Sequence, residues 1–489
     1  MDNDNVGEGV ATNMLMTDFI AGLAKLYDHH AVQLLYYGWL PSETDEGSAQ
    51  LIAVTGEPGQ SEMTWHFGDL QRENTQFPAL SRFWPAALWP EREIWEQSGA
   101  QPMGHPDLRP ILHPETSALE GVAKGSGVFH LPLGPVRADV SESGLFLFDT
   151  LGEQIMHMQP QLFFKHRDME RLAVGQRVED VLLLAERISG TSTVAHATAF
   201  CRAVERASGG IPSSSIESER ALLGEFERLY NHAHDFAQMA SAAGMTVGQA
   251  QLSRVKEELL RLFNQLTGSR YLRNTIYPMQ PSKIHFGQSA AMIRDTLKNV
   301  NERLQHFIAL LLKTPTFVDR YHETGILTSK LARAYGVVGP TARASGVAVD
   351  ARQDYLSSLY AAHGYRMASL EHPAGDAHSR LLIRVQEWDN SYLLIASLLE
   401  ELVHHEQATV DHPIQVQAGM GIGLAESPRG RVAHVVRTDQ AGRVTYWGIR
   451  SASSWNWPIF GLVTANRNIQ TDFPVIDASF GLSYAGNDR

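Results

Sequence analysis

The sequence predicts an α+β protein in which a small N-terminal α/β domain precedes a helix bundle with small flanking β-sheets. Three observations support this prediction. Short apolar runs separated by polar turn-formers fill the first part of the chain, apolar residues at helical spacing dominate the middle, and alternating apolar and polar residues mark a hairpin near the end. The 489 residues are 43% hydrophobic, which suffices for a sizeable core and about two domains.

The N-terminal α/β domain is predicted from two apolar runs, residues 31–39 and 51–55, that are bounded by polar turn-formers. These runs have the length of strands, and we expect helices to alternate with them. The pattern changes near residue 112, where a stretch rich in Pro and Trp ends. We therefore expect the first domain to end at this position.

The Pro- and Trp-rich stretch carries three aromatic residues, Phe83, Trp84 and Trp89, and the charged residues 91–93 follow them. Two interpretations stay open. The aromatic side chains could form a docking surface for a partner, or they could form a packed corner with a solvated charged edge.

Long helices are predicted after the strands that begin near residue 131. In residues 215–240 the apolar residues step by three and four, and the same spacing recurs in residues 255–266 and 293–311. This spacing is typical of a helix with one buried face. A fourth helical stretch covers residues 380–404, so the sequence predicts a bundle.

A small sheet is predicted after the bundle. Residues 423–451 alternate apolar and polar positions on either side of a turn at residues 439–442, which is typical of a β-hairpin. The glycines within residues 419–423 predict a tight approach of the backbone to a neighbouring element just before the hairpin.

Composition excludes several classes of function. The net charge is −13 and we find no cluster of Lys and Arg, so nucleic acid is not expected as a partner. The single cysteine, Cys201, excludes an internal disulfide and any iron-sulfur cluster held by this chain alone, and its apolar helical surroundings predict an inert buried thiol. No apolar run reaches about 18 residues, so we expect membrane contact only through partners.

The histidines and carboxylates outside any family motif do not predict a metal centre. Glu401 and His404 lie three residues apart on one helix face, as in half of a di-iron site, but no second pair exists, and a solvated helix end is the simpler interpretation. His232 and His234 are two residues apart on a helix and cannot face each other. Phosphate-binding loops are also absent. We expect no cofactor to be bound by this chain.

The most informative segment is AERISGTSTVAHATAFCRAVER at residues 185–206. It resembles the ERICGxCxxxHxxAF segment in the large subunit of group 4 membrane-bound nickel-iron hydrogenases, the formate hydrogenlyase type. The matching positions are Glu186, Arg187, Ile188, Gly190 and His196. Ser189 and Ser192 stand at the two cysteine positions.

The end of the sequence, DFPVIDASFGLSYAGNDR, is similar to the closing DFPxxxxSFDLCYxCTDR of the same family. Ser483 and Gly486 stand at its two cysteine positions, and Gly481 stands at the aspartate. By this resemblance all four metal-ligand positions are degenerate.

Further blocks resemble the family in the same order, and together they cover essentially the whole chain. They comprise residues 134–148, 163–175, 226–235, 336–347 and 426–437. The segment PAALWPEREIWEQSG resembles the signature of the small soluble subunit that complex I and formate hydrogenlyase carry beside, or fused to, the large one.

The resemblance implies a domain order. Residues 1–112 are expected to form a domain like the 30 kDa subunit of complex I, and residues 113–128 a linker. Residues 129–489 are expected to form the hydrogenase large-subunit-like domain, which is also like the 49 kDa subunit of complex I.

The substitutions imply that no nickel-iron centre assembles on this chain. Such a centre needs four thiolates, whereas Ser189, Ser192 and Ser483 offer protonated, hard hydroxyl groups and Gly486 offers no side chain. The chain is therefore not expected to be a competent nickel-iron hydrogenase. An iron-sulfur cluster remains possible in a partner subunit.

Three charged residues of the family's metal surroundings are retained. Arg429 stands where the family places a guanidinium over the metal pair, and Glu142 and Glu186 match acidic residues used around proton delivery. Isolated buried charges are costly, so we expect these residues to pair with one another if they converge. They are either a structural ion-pair cluster or an ionisable site that binds a small molecule or relays charge.

The resemblance implies a non-hydrogenase core subunit of a complex I-like assembly. It would dock an iron-sulfur small subunit to an ion-translocating membrane module, as a peripheral protein on the cytoplasmic face of the cell membrane. Two alternatives are a redox subunit that shapes a quinone or other acceptor site and a purely structural scaffold. Complex I has a His in the loop where this chain has Arg137, which weakens the quinone alternative.

Overall fold

A computed structural model describes residues 11–29, 32–42, 49–60, 62–70, 75–113, 121–137, 142–404, 415–465 and 467–489. Its strands are β1 (Ala11–Met14), β2 (Gln33–Pro41), β3 (Ala49–Gly56), β4 (Met63–Leu70), β5 (Gln76–Pro78), β6 (Gln101–Met103), β7 (Val128–Leu133), β8 (Leu145–Leu151), β9 (Gln154–Gln161), β10 (Gly419–Ser427), β11 (Gly430–Thr438) and β12 (Val444–Arg450).

The α-helices of the described residues fall into a short N-terminal set and a long central set. They are α1 (Met16–Asp28), α2 (Leu88–Ser98), α3 (Met169–Ala173), α4 (Val178–Ala185), α5 (Thr193–Ala207), α6 (Ser214–Ala242), α7 (Thr246–Thr267), α8 (Phe286–Leu312), α9 (Pro315–Tyr321), α10 (Ser329–Ala334), α11 (Gly339–Ala344), α12 (Ala351–Asp354), α13 (Ser357–Ala362), α14 (Ala377–His404), α15 (Ala452–Ala465), α16 (Phe473–Phe480) and α17 (Ala485–Asp488). The predicted α+β class is confirmed.

The first part of the chain forms a four-stranded sheet in the order β1-β4-β3-β2. Strands β2, β3 and β4 run antiparallel as a meander, and the described residues between them contain no helix, so the expected strict alternation is not found there. Strand β1 pairs parallel with β4, and α1 lies between them in sequence. The buried residues Phe19, Ile20 and Leu23 of α1 pack into the same apolar cluster as Tyr37 of β2.

The aromatic corner after this sheet is packed. Trp84 and Trp89 are buried, whereas Phe83 is half exposed. The carboxylate of Glu91 is also buried and accepts the backbone N–H of Leu80 at 2.6 Å. Since Trp84, Trp89 and Glu91 face inward, the packed-corner interpretation is confirmed for these side chains and the solvated charged edge is wrong, while a docking role of this stretch stays a prediction.

The four predicted helices of the bundle are confirmed as α6, α7, α8 and α14. Helix α6 begins after Ser213, whose hydroxyl accepts the N–H of Ile216 at 3.4 Å. Helix α7 ends at Gly268, where φ is 74° and an L side chain would be strained. Their apolar faces meet in the largest apolar cluster, which includes Phe226, Phe263 and Leu398.

The predicted hairpin is formed by β11 and β12, and β10 pairs with β11 to complete a three-stranded antiparallel sheet. Asp439 fixes the turn because its side chain accepts the N–H groups of Ala441 and Arg443 at 2.9 and 2.8 Å. The predicted tight approach is also present. A Cβ on Gly423 would lie 1.9 Å from the carbonyl oxygen of Ala199 in α5.

The N-terminal sheet packs against the C-terminal sheet. Leu35 of β2 and Val54 of β3 share an apolar cluster with Ile422 of β10 and Val435 of β11. Glu93 of α2 lies at the same junction and forms ion pairs with residues far along the chain. The boundaries at residues 112 and 128 stay a prediction. Within the described residues, no helix is both long and apolar enough to cross a membrane.

Candidate functional site

Three of the four degenerate metal-ligand positions converge. Ser189 follows α4, and Ser483 and Gly486 flank the start of α17. The hydroxyl oxygens of Ser189 and Ser483 lie 3.0 Å apart, and the Ser483 hydroxyl accepts the backbone N–H of Gly486 at 2.9 Å. The fourth, Ser192, precedes α5, and its N–H donates to the carbonyl of Ser189 at 3.1 Å.

This donor set does not fit a nickel-iron pair. The hydroxyl groups of Ser189 and Ser483 share one hydrogen bond, in which either can be the donor. Gly486 has no side chain to bind a metal. Such a centre requires thiolates: cysteine thiols are far more acidic than serine hydroxyls, and the thiolates that they form are softer ligands. In the described part of the chain, no group of three or more His, Cys, Asp or Glu side chains is arranged to hold a metal ion.

The hydroxyl cluster opens into a cavity of about 650 Å³. The residues that decide its character are polar: Glu142, Ser189, His234, Asp235, Arg429 and Ser483. Helix α6 supplies His234 and Asp235, while the turn between β10 and β11 supplies Arg429. Burial lowers the pKa of His234 to about 4, so its imidazole is neutral near pH 7.

Arg429 is fixed by three contacts inside this cavity. Its guanidinium donates to the side chain of Asn231 at 2.8 Å, to the carboxylate of Asp235 at 3.1 Å, and to the carbonyl of Gly481. Burial would raise the pKa of Asp235, but the nearby Arg429, together with His232 and Arg384, holds that pKa well below its usual value. The partner of Arg429 is therefore Asp235, a residue that the sequence did not single out.

Glu142 shares the cavity with Arg429 but does not pair with it. Its carboxylate accepts the backbone N–H of Ala485, at the start of α17. Burial raises the pKa of Glu142, and the hydrogen bond from Ala485 opposes this rise. The negative charge of Glu142 is thus stabilised by fewer contacts than that of Asp235, which is paired with Arg429 and Arg384.

Glu186 does not line the cavity. Its carboxylate accepts the N–H of Asn274 at 2.6 Å and lies 3.6 Å from the guanidinium of Arg187. Burial raises its pKa, and the N–H of Asn274 and the neighbouring Arg187 oppose the rise. The expected convergence is therefore found only for Glu142 and Arg429, which line one cavity, and the expected pairing among Glu142, Glu186 and Arg429 is wrong because each binds a different partner.

A buried network of ion pairs extends from the cavity into the bundle. Asp235 contacts Arg384 at 3.2 Å, and His232 bridges from Asp235 to Glu387, whose carboxylate it meets at 2.6 Å. Burial lowers the pKa of His232 to about 3, which favours the neutral ring despite these acidic neighbours. The carboxylate of Glu387 also pairs with Arg343.

The whole network, which begins at Arg429 in the cavity, consists of five arginines and five acidic residues. They are Arg429, Arg384, Arg343, Arg228 and Arg352 with Asp235, Glu387, Glu426, Asp350 and Glu225. Mutual pairing of this kind offsets the cost of burying each charge. The contacts of Arg429 are therefore those expected if it belongs to a structural ion-pair cluster.

The sequence contained a signal for this network that periodicity could have revealed. Glu225, Arg228, His232 and Asp235 are separated by three, four and three residues, so they form a polar stripe on one face of α6. All four are buried. A charged stripe at helical spacing beside an apolar stripe is usually taken for a solvated face, which is why it was missed.

The remaining motif residues have defined surroundings. His196 Nδ1 lies 2.9 Å from His434 Nε2, and Trp447 donates to the other nitrogen of His434 at 3.1 Å. Arg137, in the loop where complex I has a His, pairs with Asp477 at 3.0 Å and lies within hydrogen-bond distance of Tyr484. In the sequence, Arg137 is notable only as a departure from the family. In the structure, its contacts with Asp477 and Tyr484 place it at the margin of the cavity.

The other candidates from the sequence are structural. Cys201 is fully buried, and burial raises the pKa of its thiol, as expected for an inert cysteine. His232 and His234 do not share a site. Glu401 is not simply solvated, because its carboxylate binds His363 at 2.8 Å and Ser218 at 3.0 Å.

Comparison with known proteins defines the class to which this fold and cavity correspond. Residues 243–414 match the family described as respiratory-chain NADH dehydrogenase, 49 Kd subunit, and residues 49–126 match the family described as respiratory-chain NADH dehydrogenase, 30 Kd subunit. The chain therefore joins a 30 kDa-like and a 49 kDa-like region of complex I in one polypeptide.

Hydrogenase subunits are among its relatives. The chain is 27% identical to formate hydrogenlyase subunit 5 of Escherichia coli K12, over 86% of this chain and 78% of that protein. It is 25% identical to membrane-bound hydrogenase subunit alpha of Pyrococcus furiosus, over 64% of this chain and 76% of that protein. The chain is a homologue of these large subunits in which all four metal-binding cysteines are replaced.

A solved structure confirms the fold. A chain of the membrane-bound sulfane sulfur reductase, an archaeal respiratory membrane complex, superposes with a TM-score of 0.67 at 21% identity, over 77% of this chain and all of that chain. Proteins of this class are subunits of complex I-like membrane-bound complexes.

Proposed function

We propose that the protein is a non-hydrogenase core subunit that docks an iron-sulfur small subunit to an ion-translocating membrane module, at the cytoplasmic face of the cell membrane. The observation that carries the proposal is the hydroxyl pair of Ser189 and Ser483, 3.0 Å apart, at two of the degenerate metal-ligand positions and in the same cavity as the buried ion pair of Arg429 with Asp235. Such a chain keeps the fold, and with it the surfaces through which a subunit contacts its partners. It lacks the thiolate ligands that a nickel-iron centre needs to react with dihydrogen.

An exposed apolar surface beside the cavity supports the docking role. In β7, Phe129 and Leu131 are 63% and 43% exposed, and Val136 in the following loop is 84% exposed. Val136 immediately precedes Arg137, whose partners Asp477 and Tyr484 line the cavity. Large apolar side chains exposed together on an edge strand favour contact with another protein.

A co-purification experiment tests the docking role. We expect the double variant Phe129→Ser and Val136→Ser to lower recovery of the iron-sulfur small subunit at least tenfold, because it removes the apolar contact area. Ile211→Ser, which replaces a residue 86% exposed before α6, is the matched control and should leave recovery unchanged. Equal recovery with both variants would contradict docking at this surface.

Elemental analysis tests the absence of hydrogen chemistry independently. The purified complex should contain less than about one-tenth of an equivalent of nickel per chain, because the Ser189 and Ser483 hydroxyls and Gly486 cannot replace thiolates. Stoichiometric nickel with dihydrogen uptake would overturn this part of the proposal and leave docking untouched.

The retained cavity is proposed to hold a titrating group, Glu142, rather than a metal. Glu142→Gln removes the titration and keeps the shape of the side chain. If the cavity relays charge in the assembled complex, this variant should reduce ion coupling with little change in the melting temperature. Glu179→Gln, at an exposed position of α4, is the control. Unchanged coupling in a fully assembled Glu142→Gln complex would favour the scaffold alternative.

The quinone alternative is the less favoured one. The guanidinium of Arg137 lies against the Asp477 carboxylate, and its centre lies 5.1 Å from the centre of the Phe146 ring. Arginine keeps its proton under all ordinary conditions, so it cannot serve as the proton donor that a His in this loop could be.

A further inference from the structure

A second cavity, of about 830 Å³, lies between the N-terminal region, helix α10 and the segments on either side of α11. It shares no lining residue with the cavity beside Ser189. Its walls are largely apolar and include Val32, Leu34, Val337, Val347 and Val349. A cavity of this size and character is typical of sites for small organic molecules.

Among the described residues that line this second cavity, every charged side chain is positive. They are Lys330 and Arg333 of α10 and Arg431 of β11. None of the three lies within ion-pair distance of a carboxylate in the part of the chain that the structure describes. The protein has a net charge of −13, so a cavity whose described charged residues are all cations is unusual and indicates an anionic ligand.

Arg431 is the central cation because it is buried. It is only 5% exposed, and its guanidinium donates to the carbonyl of Leu34 at 3.1 Å and to the side chain of Gln33. Its Nε is buried and has no hydrogen-bond acceptor among the described residues. Asp354 accepts an N–H of the Gln33 amide at 3.5 Å; burial raises the pKa of this carboxyl overall, although Arg431 acts to lower it, and the two side chains are not within ion-pair distance.

Neutral acceptors satisfy only part of what a buried guanidinium requires. Burying a cation without a compensating anion is unfavourable, whereas pairing it with an oxyanion recovers much of this cost. Arginine binds carboxylate and phosphate groups through strong charge-assisted hydrogen bonds. The valine-rich walls, in contrast, suit an apolar body.

We propose that this cavity binds a small amphipathic anion with one carboxylate or phosphate group on an apolar body. Arg431 binds the anionic group, Lys330 and Arg333 stand at the exposed side and attract it, and the valines contact the apolar part. The site is separate from the docking surface and from the cavity at Ser189, so it does not depend on the proposed core-subunit role.

Calorimetric titration of the full chain tests this site. The probes are decyl phosphate and decanoate, each below its critical micelle concentration, with decanol as the neutral analogue. We expect one equivalent of either anion to bind, at least tenfold more tightly than decanol. Equal affinity for decanol would overturn the proposal, because binding would then not involve the cations.

Variants separate the site from an effect on folding. Lys330→Gln combined with Arg333→Gln changes two exposed side chains and should weaken decyl phosphate binding at least tenfold. Lys298→Gln combined with Arg294→Gln, at exposed positions of α8, is the matched control and should bind as the natural chain does. Arg431→Gln should abolish measurable binding, provided that its circular dichroism matches that of the natural chain. Unchanged affinity of the Lys330 and Arg333 double variant would contradict the proposal.

Two further probes identify the source of the anionic group. Inorganic phosphate should bind at least a hundredfold more weakly than decyl phosphate, because it lacks the apolar body. Vesicles of phosphatidylglycerol should not bind the chain more tightly than vesicles of phosphatidylcholine. Binding to phosphatidylglycerol vesicles without binding to decyl phosphate would show a charged surface and refute the cavity site.

Discussion

At the scale of single residues, the charge of Arg429 is explained by Asp235 and not by the family's acidic residues. Each of the three guanidinium nitrogens of Arg429 donates to an acceptor, in Gly481, Asn231 and Asp235. The ion pair is almost completely buried, so each partner depends on the other. The retention of Arg429 therefore has a structural cause, whatever the cavity does.

Replacing Arg429 by Met should destabilise the fold. Asp235 would keep Arg384 but lose its closer-fitting partner, and Asn231 and Gly481 would lose a donor. We expect a loss of about 3 kcal/mol in the free energy of unfolding, measured by urea denaturation. Arg429→Lys should recover part of this loss because it retains the charge. No loss with Met would mean that the network does not stabilise this region.

Glu227 in α6 makes the stability of the fold sensitive to pH. Burial raises the pKa of Glu227 to about 8, although the N–H groups of Val194 and Ala195 donate to its carboxylate and lower it. In the unfolded chain this carboxyl ionises near pH 4.5. Between these two values the folded chain holds a proton that the unfolded chain has lost, so raising the pH destabilises the fold.

The expected slope is about 1.4 kcal/mol per pH unit between roughly pH 5 and pH 8. Glu227→Gln should remove this component of the slope, as measured by urea denaturation at several pH values. Glu179→Gln, at an exposed site, should keep the natural slope. A Glu227→Gln slope equal to the natural one would show that Glu227 is ionised in the fold.

At the scale of secondary-structure elements, the contact of β10 with α5 depends on glycine. A Cβ on Gly423 would lie 1.9 Å from the carbonyl oxygen of Ala199, and one on Gly421 would lie 2.3 Å from that of Ala203. Backbone atoms cannot move aside as a flexible side chain can. The strand therefore lies directly on the helix that follows the Ser189 segment.

Gly423→Ala should separate β10 from α5 and destabilise the protein by several kcal/mol, or prevent folding, because overpacking against backbone cannot relax locally. Gly224→Ala in α6, where a Cβ would meet no atom within 4 Å, is the matched control. It should leave stability unchanged or raise it by up to about 1 kcal/mol. Melting temperatures compare the two variants, and equal values would refute the close contact.

The elements with one strong apolar stripe were predictable. Residues 215–240 were predicted as a helix that the structure extends to Ser214–Ala242, because burial of one face and the Ser213 cap fix the helix locally. The convergence of Ser189 with Ser483 could be inferred from their motifs. The orientation of the Glu186 side chain could not be inferred from the sequence. It depends on a hydrogen bond from Asn274, which is 88 residues away and carries no local signal.

At the scale of the whole molecule, the N-terminal and C-terminal regions are held together by buried charges as well as by apolar packing. Glu93 of α2 pairs with Arg450 of β12 and with Arg489, at 2.6 Å in the latter case. Arg489 also pairs with Glu170 at 3.0 Å. Such pairs are costly to break on one side, which favours an undivided structure over two independent domains.

Cleavage between the two regions should therefore leave them associated. A protease site inserted between Gly125 and Ser126, both exposed, would divide the chain outside the junction. We expect the two fragments to co-elute in size-exclusion chromatography. With Arg489→Met added, Glu93 loses one of its two cations, and the fragments should separate at a lower urea concentration. Fragments that separate without urea would show that the linker, rather than the junction, holds the regions together.

The pairing of Glu93 with Arg489 also constrains biosynthesis. The two residues are 396 positions apart, so at about 5–20 residues per second roughly 20–80 seconds pass between their emergence from the ribosome. During this interval the N-terminal sheet cannot complete its interface, and the carboxylate of Glu93 must stay hydrated. Completion of this interface therefore has to wait until Arg489 has emerged from the ribosome.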